Sequence, residues 1–167
     1  MFRTRIMLVA VSTGTALLAA LVPPAPAAAG APVPDAVHSA TATAQRVPAS
    51  LNRAAGWRFT WNTMTAGDCT MFQGASWTVW DNGYADFDGV VTSSDDDDAW
   101  LMWADLKDGN GSVLTRLQTA DIQNPADRTR FIKNLPDSRQ TYRWFTVGQY
   151  NNYFFQFLRR MTLYHSC

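Results

Sequence analysis

From Trp57 to the C-terminus, large apolar residues recur at alternate positions in short runs, and turn-forming residues interrupt the runs about every ten residues. Trp57, Phe59 and Trp61 alternate with Arg58 and Thr60, which predicts a strand over 57–62. Residues 76–80 and 84–92 read as a hairpin turning at Asp81-Asn82-Gly83, since Asn-Gly supplies the positive φ angles of a tight turn. A second pair, 99–107 and 112–117, turns at Asp108-Gly109-Asn110-Gly111. Later strands are predicted over 140–147 and about 156–165, with a short one over 129–133. The stretches 121–128 and 134–138, which hold Pro125 and Pro136, read as loops. Over 151–158 the period is ambiguous, because Phe154, Phe157, Leu158 and Met161 would also stripe a short helix; a turn or one helical turn running into a final strand is the preferred reading. The pattern predicts an all-β domain, an antiparallel sandwich or flattened barrel of about seven or eight strands.

Two of these runs are large on both faces. Trp100-Leu101-Met102-Trp103 and Tyr142-Arg143-Trp144-Phe145-Thr146-Val147 place large apolar side chains on both faces, where a half-exposed antiparallel sheet should have one polar face. Either these strands are central and covered, or they present an aromatic surface to a ligand. Trp80, Trp100 and Trp103 flank an acidic loop and are the candidate binding residues, flat rings of the kind that stack on sugars.

The pattern changes before Trp57. Arg3 and Arg5 precede an apolar run from Ile6 to Val22, broken only by Ser12-Thr13-Gly14-Thr15, and small residues follow with cleavage positions after Ala27 or Ala29. This predicts a signal peptide over 1–29 and a secreted, extracellular protein with no membrane span in its mature part. Residues 30–56 are rich in Ala, Pro and Thr and too poor in large side chains to offset their ordering entropy, so they read as a flexible spacer. The folded unit is then 57–167, about 110 residues.

Charge narrows the function. The chain has fourteen aspartates, no glutamate and two lysines, and from Trp57 onward Asp outnumbers Arg plus Lys by a few. No basic footprint for nucleic acid exists. Asp95-Asp96-Asp97-Asp98 predicts a solvated loop; its carboxylate density makes calcium a weak possible cofactor, although the D-x-D-x-D-G spacing is missing. Asp86 and Asp105, both within strands, are the least unfavourable pair for a hydrolase. His38 falls in the spacer, leaving His165, which reads as a strand-end surface residue; a histidine-rich zinc site is excluded and any catalytic triad would rest on His165 alone. No phosphate-binding glycine loop occurs. The two cysteines, Cys69 and Cys167, read in an exported chain as one disulfide, with two free thiols or a metal pair as the alternatives.

Gly67-Asp68-Cys69, Trp77-Thr78 leading to Asp81-Asn82-Gly83, Phe87-Asp88-Gly89, Asp98-Ala99-Trp100, Asn134-Leu135-Pro136-Asp137, Tyr142-Arg143-Trp144, Arg160-Met161 and the terminal Cys167 together resemble a family of small secreted actinobacterial proteins (Streptomyces-type), a domain of unknown function. The resemblance spans nearly all of 57–167. It implies secretion and the disulfide and brings no activity. The leading expectation is a non-catalytic secreted binding or interaction module, with an extracellular carbohydrate or protein as partner. The alternatives are a secreted hydrolase using an Asp pair and a secreted inhibitor-like protein.

Overall fold

The structure, a computed structural model, describes residues 36–50, 54–120 and 125–167; the leader expected over 1–29, the first part of the spacer and the start of the 121–128 loop lie outside the described residues. Among the described residues there are thirteen strands and one short 3-10 helix. The strands are β1 (His38–Thr43), β2 (Gln45–Val47), β3 (Gly56–Thr60), β4 (Met64–Ala66), β5 (Cys69–Met71), β6 (Ser76–Trp80), β7 (Tyr84–Ser93), β8 (Asp98–Lys107), β9 (Val113–Arg116), β10 (Gln118–Thr119), β11 (Phe131–Leu135), β12 (Tyr142–Gln149) and β13 (Arg160–Ser166). The helix, Asn152–Phe157, is capped by the Asn151 side chain, which accepts from the Tyr153 amide. None of the described helices is long and apolar enough to cross a membrane.

The strands form two antiparallel sheets that do not close into a barrel. One has eight strands in the order β10-β12-β7-β6-β3-β2, with β5 on the far end of β7 and β4 on β5. The other has five, β1-β13-β8-β11, with β9 also on β8. The ten-residue β7 and β8 are the spines, since each is long enough to take two neighbours in succession along one edge. The hairpin at Asn82-Gly83 forms as expected: Gly83 has φ +90° and the Asn82 side chain accepts from the Tyr84 amide at 3.1 Å.

Because paired residues share a face, register sorts the side chains. Phe59, Trp77 and Phe87 lie on one face of the large sheet, and Trp100, Met102 and Phe131 on one face of the small sheet; all are fully buried. The faces meet where the Trp77 and Phe131 rings lie edge to face at 5.1 Å. Cys69 of β5 and Cys167, which follows β13, are disulfide-bonded with their Cα atoms 5.9 Å apart, so the bridge links one sheet to the other.

The strand-forming chain starts earlier than the change at Trp57 suggests. Residues 38–47, assigned above to the flexible spacer, make β1 and β2; β1 pairs along its whole length with β13. Small side chains suffice there because backbone pairing supplies the order: Ala42 faces the core, and the Thr41 and Thr162 hydroxyls bond across the strands at 2.8 Å.

Candidate functional site

The outward face of the large sheet is unusual. Down β7 it presents Tyr84, Asp86 and Asp88, and down β12 Phe145 and Val147, while Ser76, Thr78 and Trp80 come from β6 and Arg58 from β3. A polar face is expected on a solvated sheet, yet Phe145 is 61% exposed and Val147 39%. Val47, Arg58, Trp80, Asp86, Phe145 and Val147, with the residues between them, line an open hollow of about 590 Å³.

The hollow is held in shape by its own polar groups. The Trp80 indole N–H donates to Asp86 at 2.7 Å. The six-membered part of the same ring packs over Gly56, its partner on β3, where an added Cβ would lie 2.8 Å from the ring. Tyr150 fixes the strand from behind: its hydroxyl donates to the Trp80 carbonyl, and its amide bonds to Gly83 at 2.9 Å. Burial, with Asp81 nearby, pushes that phenol well above its ordinary range and keeps it a donor. Arg58 donates to the Ser76 hydroxyl at 3.0 Å, Arg143 pairs with Asp88 at 3.0 Å, and the Arg143 guanidinium lies 4.4 Å over the Phe145 ring. The result is a surface of half-open rings interleaved with fixed carboxylates and guanidiniums.

The other expected residues scatter. Trp100 is fully buried, stacked 5.0 Å from His165, and its indole N–H has no partner; it belongs to the core and reaches no ligand. Trp103 is half-buried on the outward face of the small sheet, so Trp80 and Trp103 do not share a site. Asp86 and Asp105 likewise point outward from opposite sheets, and the hydrolytic pair drawn from them cannot bracket one bond. Asp105 is instead buried beneath Arg116, which grips it with two bonds of 2.6 and 3.1 Å, and that grip raises the Arg116 pKa. His165 is buried rather than superficial, between Trp100 and His38, with Nδ1 unpartnered; burial, assisted by His38, lowers its pKa to about 4.

Asp95, Asp96 and Asp97 form the expected exposed loop, whereas Asp98 is half-buried at the start of β8, and the carboxylates bond to different partners. Asp98 accepts from the Ser93 hydroxyl, and Asp96 accepts from the Ser138 amide at 2.7 Å, the bond that most lowers its pKa. Asp95 turns back on the Asp96 amide at 2.9 Å. Among the described residues the one convergent group with metal-ligand chemistry is Cys69, Asp98 and Cys167, whose two sulfurs are bonded to each other. No three carboxylates of Asp95 to Asp98 converge within ligand distance of one another.

Asp88 and Arg58 were not singled out as site residues, and Arg143, Phe145 and Val147 only as part of a run that is large on both faces. Parity within a strand was the available signal: Asp86 and Asp88, two apart, share a face, whereas Trp100 and Trp103, three apart, cannot. Arg58 and Phe145 reach the site only through pairing across distant strands, which local pattern does not encode.

No curated protein and no solved structure matches the chain. Residues 76–167 match a family model described as "Family of unknown function (DUF6294)", a span that runs from β6 through β13 and contains Trp80, Asp86 and Phe145 but not Arg58 or Cys69. That span is more than half of the chain, which belongs to this family.

Proposed function

We propose that this is a secreted, non-catalytic module, of the small actinobacterial kind its motifs resemble, that binds a neutral carbohydrate on the outward face of the large sheet. The observation that carries the reading is Trp80, with its N–H tied to Asp86, sharing one open hollow with the exposed Phe145 and with Arg58 and Asp88. With its N–H bonded to Asp86, the half-buried indole and the exposed Phe145 ring together give the hollow apolar area, which suits the C–H face of a sugar ring whose hydroxyls are equatorial. Aspartate and arginine around it suit those hydroxyls, because one accepts and the other donates. A ring held in place beforehand loses little freedom on binding. Two carboxylates balance two guanidiniums on this face, which favours a neutral ligand over an anionic polymer.

Export is supported by the leader pattern and by the disulfide, a bond that persists outside the reducing cytosol. N-terminal sequencing of protein recovered from the medium should begin at Ala28 or Gly30; recovery only from the cytosol refutes export. Binding is tested by affinity electrophoresis through gels containing hydroxyethylcellulose, xylan or glycol chitin. Retardation in at least one gel, weakened about tenfold by Trp80→Ala, is expected. Migration unchanged by all three polymers overturns the reading.

A further inference from the structure

The outward face of the large sheet continues past the hollow. Cross-strand pairing sets three ranks along β7 and β12: Asp88 with Phe145, Asp86 with Val147, and Tyr84 with Gln149. Successive ranks stand about 7 Å apart along the strands, so the three span roughly 14 Å. The first two line the hollow described above; the third borders a second, smaller one of about 300 Å³, shared with Asn82, Asn151 and Asn152. Between the second and third ranks lie the buried Ala85 and Gly148, so neither strand raises a side chain that would separate the two hollows.

The chemistry of this end is different. No charged side chain lines it. Tyr84 is 47% exposed, and neither its ring nor its hydroxyl has a partner among the described residues. The same holds for the side-chain amides of Gln149 and Asn152, both exposed, and of Gln118, which stands opposite Gln149 on the edge strand β10. Other groups fix the turn around them: Asn82 accepts from the Tyr84 main-chain amide at 3.1 Å, Asn151 from the Tyr153 amide at 3.0 Å, and the Tyr150 amide donates to the Gly83 carbonyl at 2.9 Å. The frame is held while its outward polar groups stay free.

We propose that the two hollows form one cleft, and that its occupant is a stretch of neutral polysaccharide lying along β7 and β12 and held through several consecutive sugar units. The inference rests on the carbohydrate reading of the hollow. An amide carries donors and an acceptor together, and so does a phenol. Three free amides and a free phenol without a charge among them match the hydroxyls of a neutral sugar and give an ion nothing to pair with. The exposed Tyr84 ring adds a flat apolar surface between those groups. Length follows from the layout: three ranks in one line exceed a single sugar ring, and the face is unobstructed from the second rank to the third.

Calorimetric titration with a trisaccharide and a hexasaccharide of the polymer that retards the wild-type protein (cello-, xylo- or chito-oligosaccharides) tests this. The hexasaccharide should bind wild type about tenfold more tightly than the trisaccharide, which fits within the larger hollow. Tyr84→Ala should bring the hexasaccharide down to the trisaccharide's affinity and leave the trisaccharide unchanged. Gln149→Ala should cost the hexasaccharide about threefold, again without touching the trisaccharide. Both side chains are exposed, and the turn bond at Tyr84 uses its main chain, so melting curves should match wild type. If Tyr84→Ala melts early, Gln149→Ala alone decides. Equal wild-type affinity for the two lengths, or variants in which both lengths lose alike or neither loses, overturns the extension and leaves the hollow as a site for a short sugar. A wild-type protein retarded by none of the polymers removes the carbohydrate reading itself, and the extension with it.

Discussion

On the outward face of the large sheet, the Arg143–Asp88 pair lies open to solvent at both ends; on that of the small sheet, Asp105 is buried beneath a half-exposed Arg116. Both pairs cross between neighbouring strands, Asp105 and Arg116 directly opposite and Asp88 and Arg143 on the diagonal, and both guanidiniums also lie over an aromatic ring. Their surroundings separate their roles. The open pair leaves Phe145 exposed at the edge of the hollow, while the buried pair is part of the structure and its half-exposed arginine borders Trp103 and Tyr164. A charged residue on a sheet face is thus solvent-facing or structural according to what covers it, and residue type alone does not decide which.

The largest expected effect removes what ties the two faces together. Replacing both Cys69 and Cys167 by Ser opens a loop of 98 residues, and the chain-entropy estimate for its closure is about 4–5 kcal/mol. Urea unfolding should show a loss of about 3–5 kcal/mol, a large part of the stability of a domain this size. A loss below about 1 kcal/mol would mean that core packing alone holds the sheets together.

Next come the two ion pairs. Asp105→Ala strips a partly covered guanidinium of its buried partner and should cost about 2–3 kcal/mol. Asp88→Ala on the open face should cost less than about 1 kcal/mol, since exposed pairs gain little against solvent. Equal costs in urea titrations would erase the distinction between the faces. A third effect belongs to the core of the small sheet. His165 is neutral when folded, with its pKa lowered to about 4, but takes a proton near 6.5 when unfolded. Protons therefore favour the unfolded chain between these values: stability is full above about pH 6.5, falls as pH drops and loses no more to this group below about 4. The loss should be on the order of 2–3 kcal/mol. Subtracting the same titration of His165→Gln, which has no proton to gain in this window, isolates it from the aspartates; identical curves would refute the assignment.

Much of this architecture was legible in advance, and what was missed has physical causes. Strand positions came through because period-two alternation and Asn-Gly turns are local. The Asn82-Gly83 hairpin and the 3-10 turn before β13 are of this kind, while the Cys69–Cys167 bridge, between residues 98 apart, was legible because the chain has just two cysteines. β1 and β2 were hidden because their Ala, Ser and Thr side chains carry little hydrophobic signal; their order comes from backbone pairing with β13 and β3, some 120 and 10 residues away. Of the site, Trp80 and Asp86 were found by residue type. Their meeting with Phe145 and Arg58 depends on strand order, which alternation leaves open. The two-faced runs around Trp100 and Trp144 proved to be both things at once: Trp100 and Trp144 are core, and Trp103 and Phe145 face outward.

The smallest expected effect on stability is also the sharpest test of how the open face works. Gly56 is where the Trp80 ring comes to rest, and a methyl group there would stand 2.8 Å from the ring and 3.3 Å from the Val79 carbonyl. Gly56 does not have a positive φ, so Gly56→Ala should fold, losing less than about 1 kcal/mol. The ring must move, however, and its bond to Asp86 moves with it. Retardation by the bound polymer should weaken nearly as much as in Trp80→Ala. Full affinity in Gly56→Ala would show that Trp80 contributes contact area alone, with no set orientation.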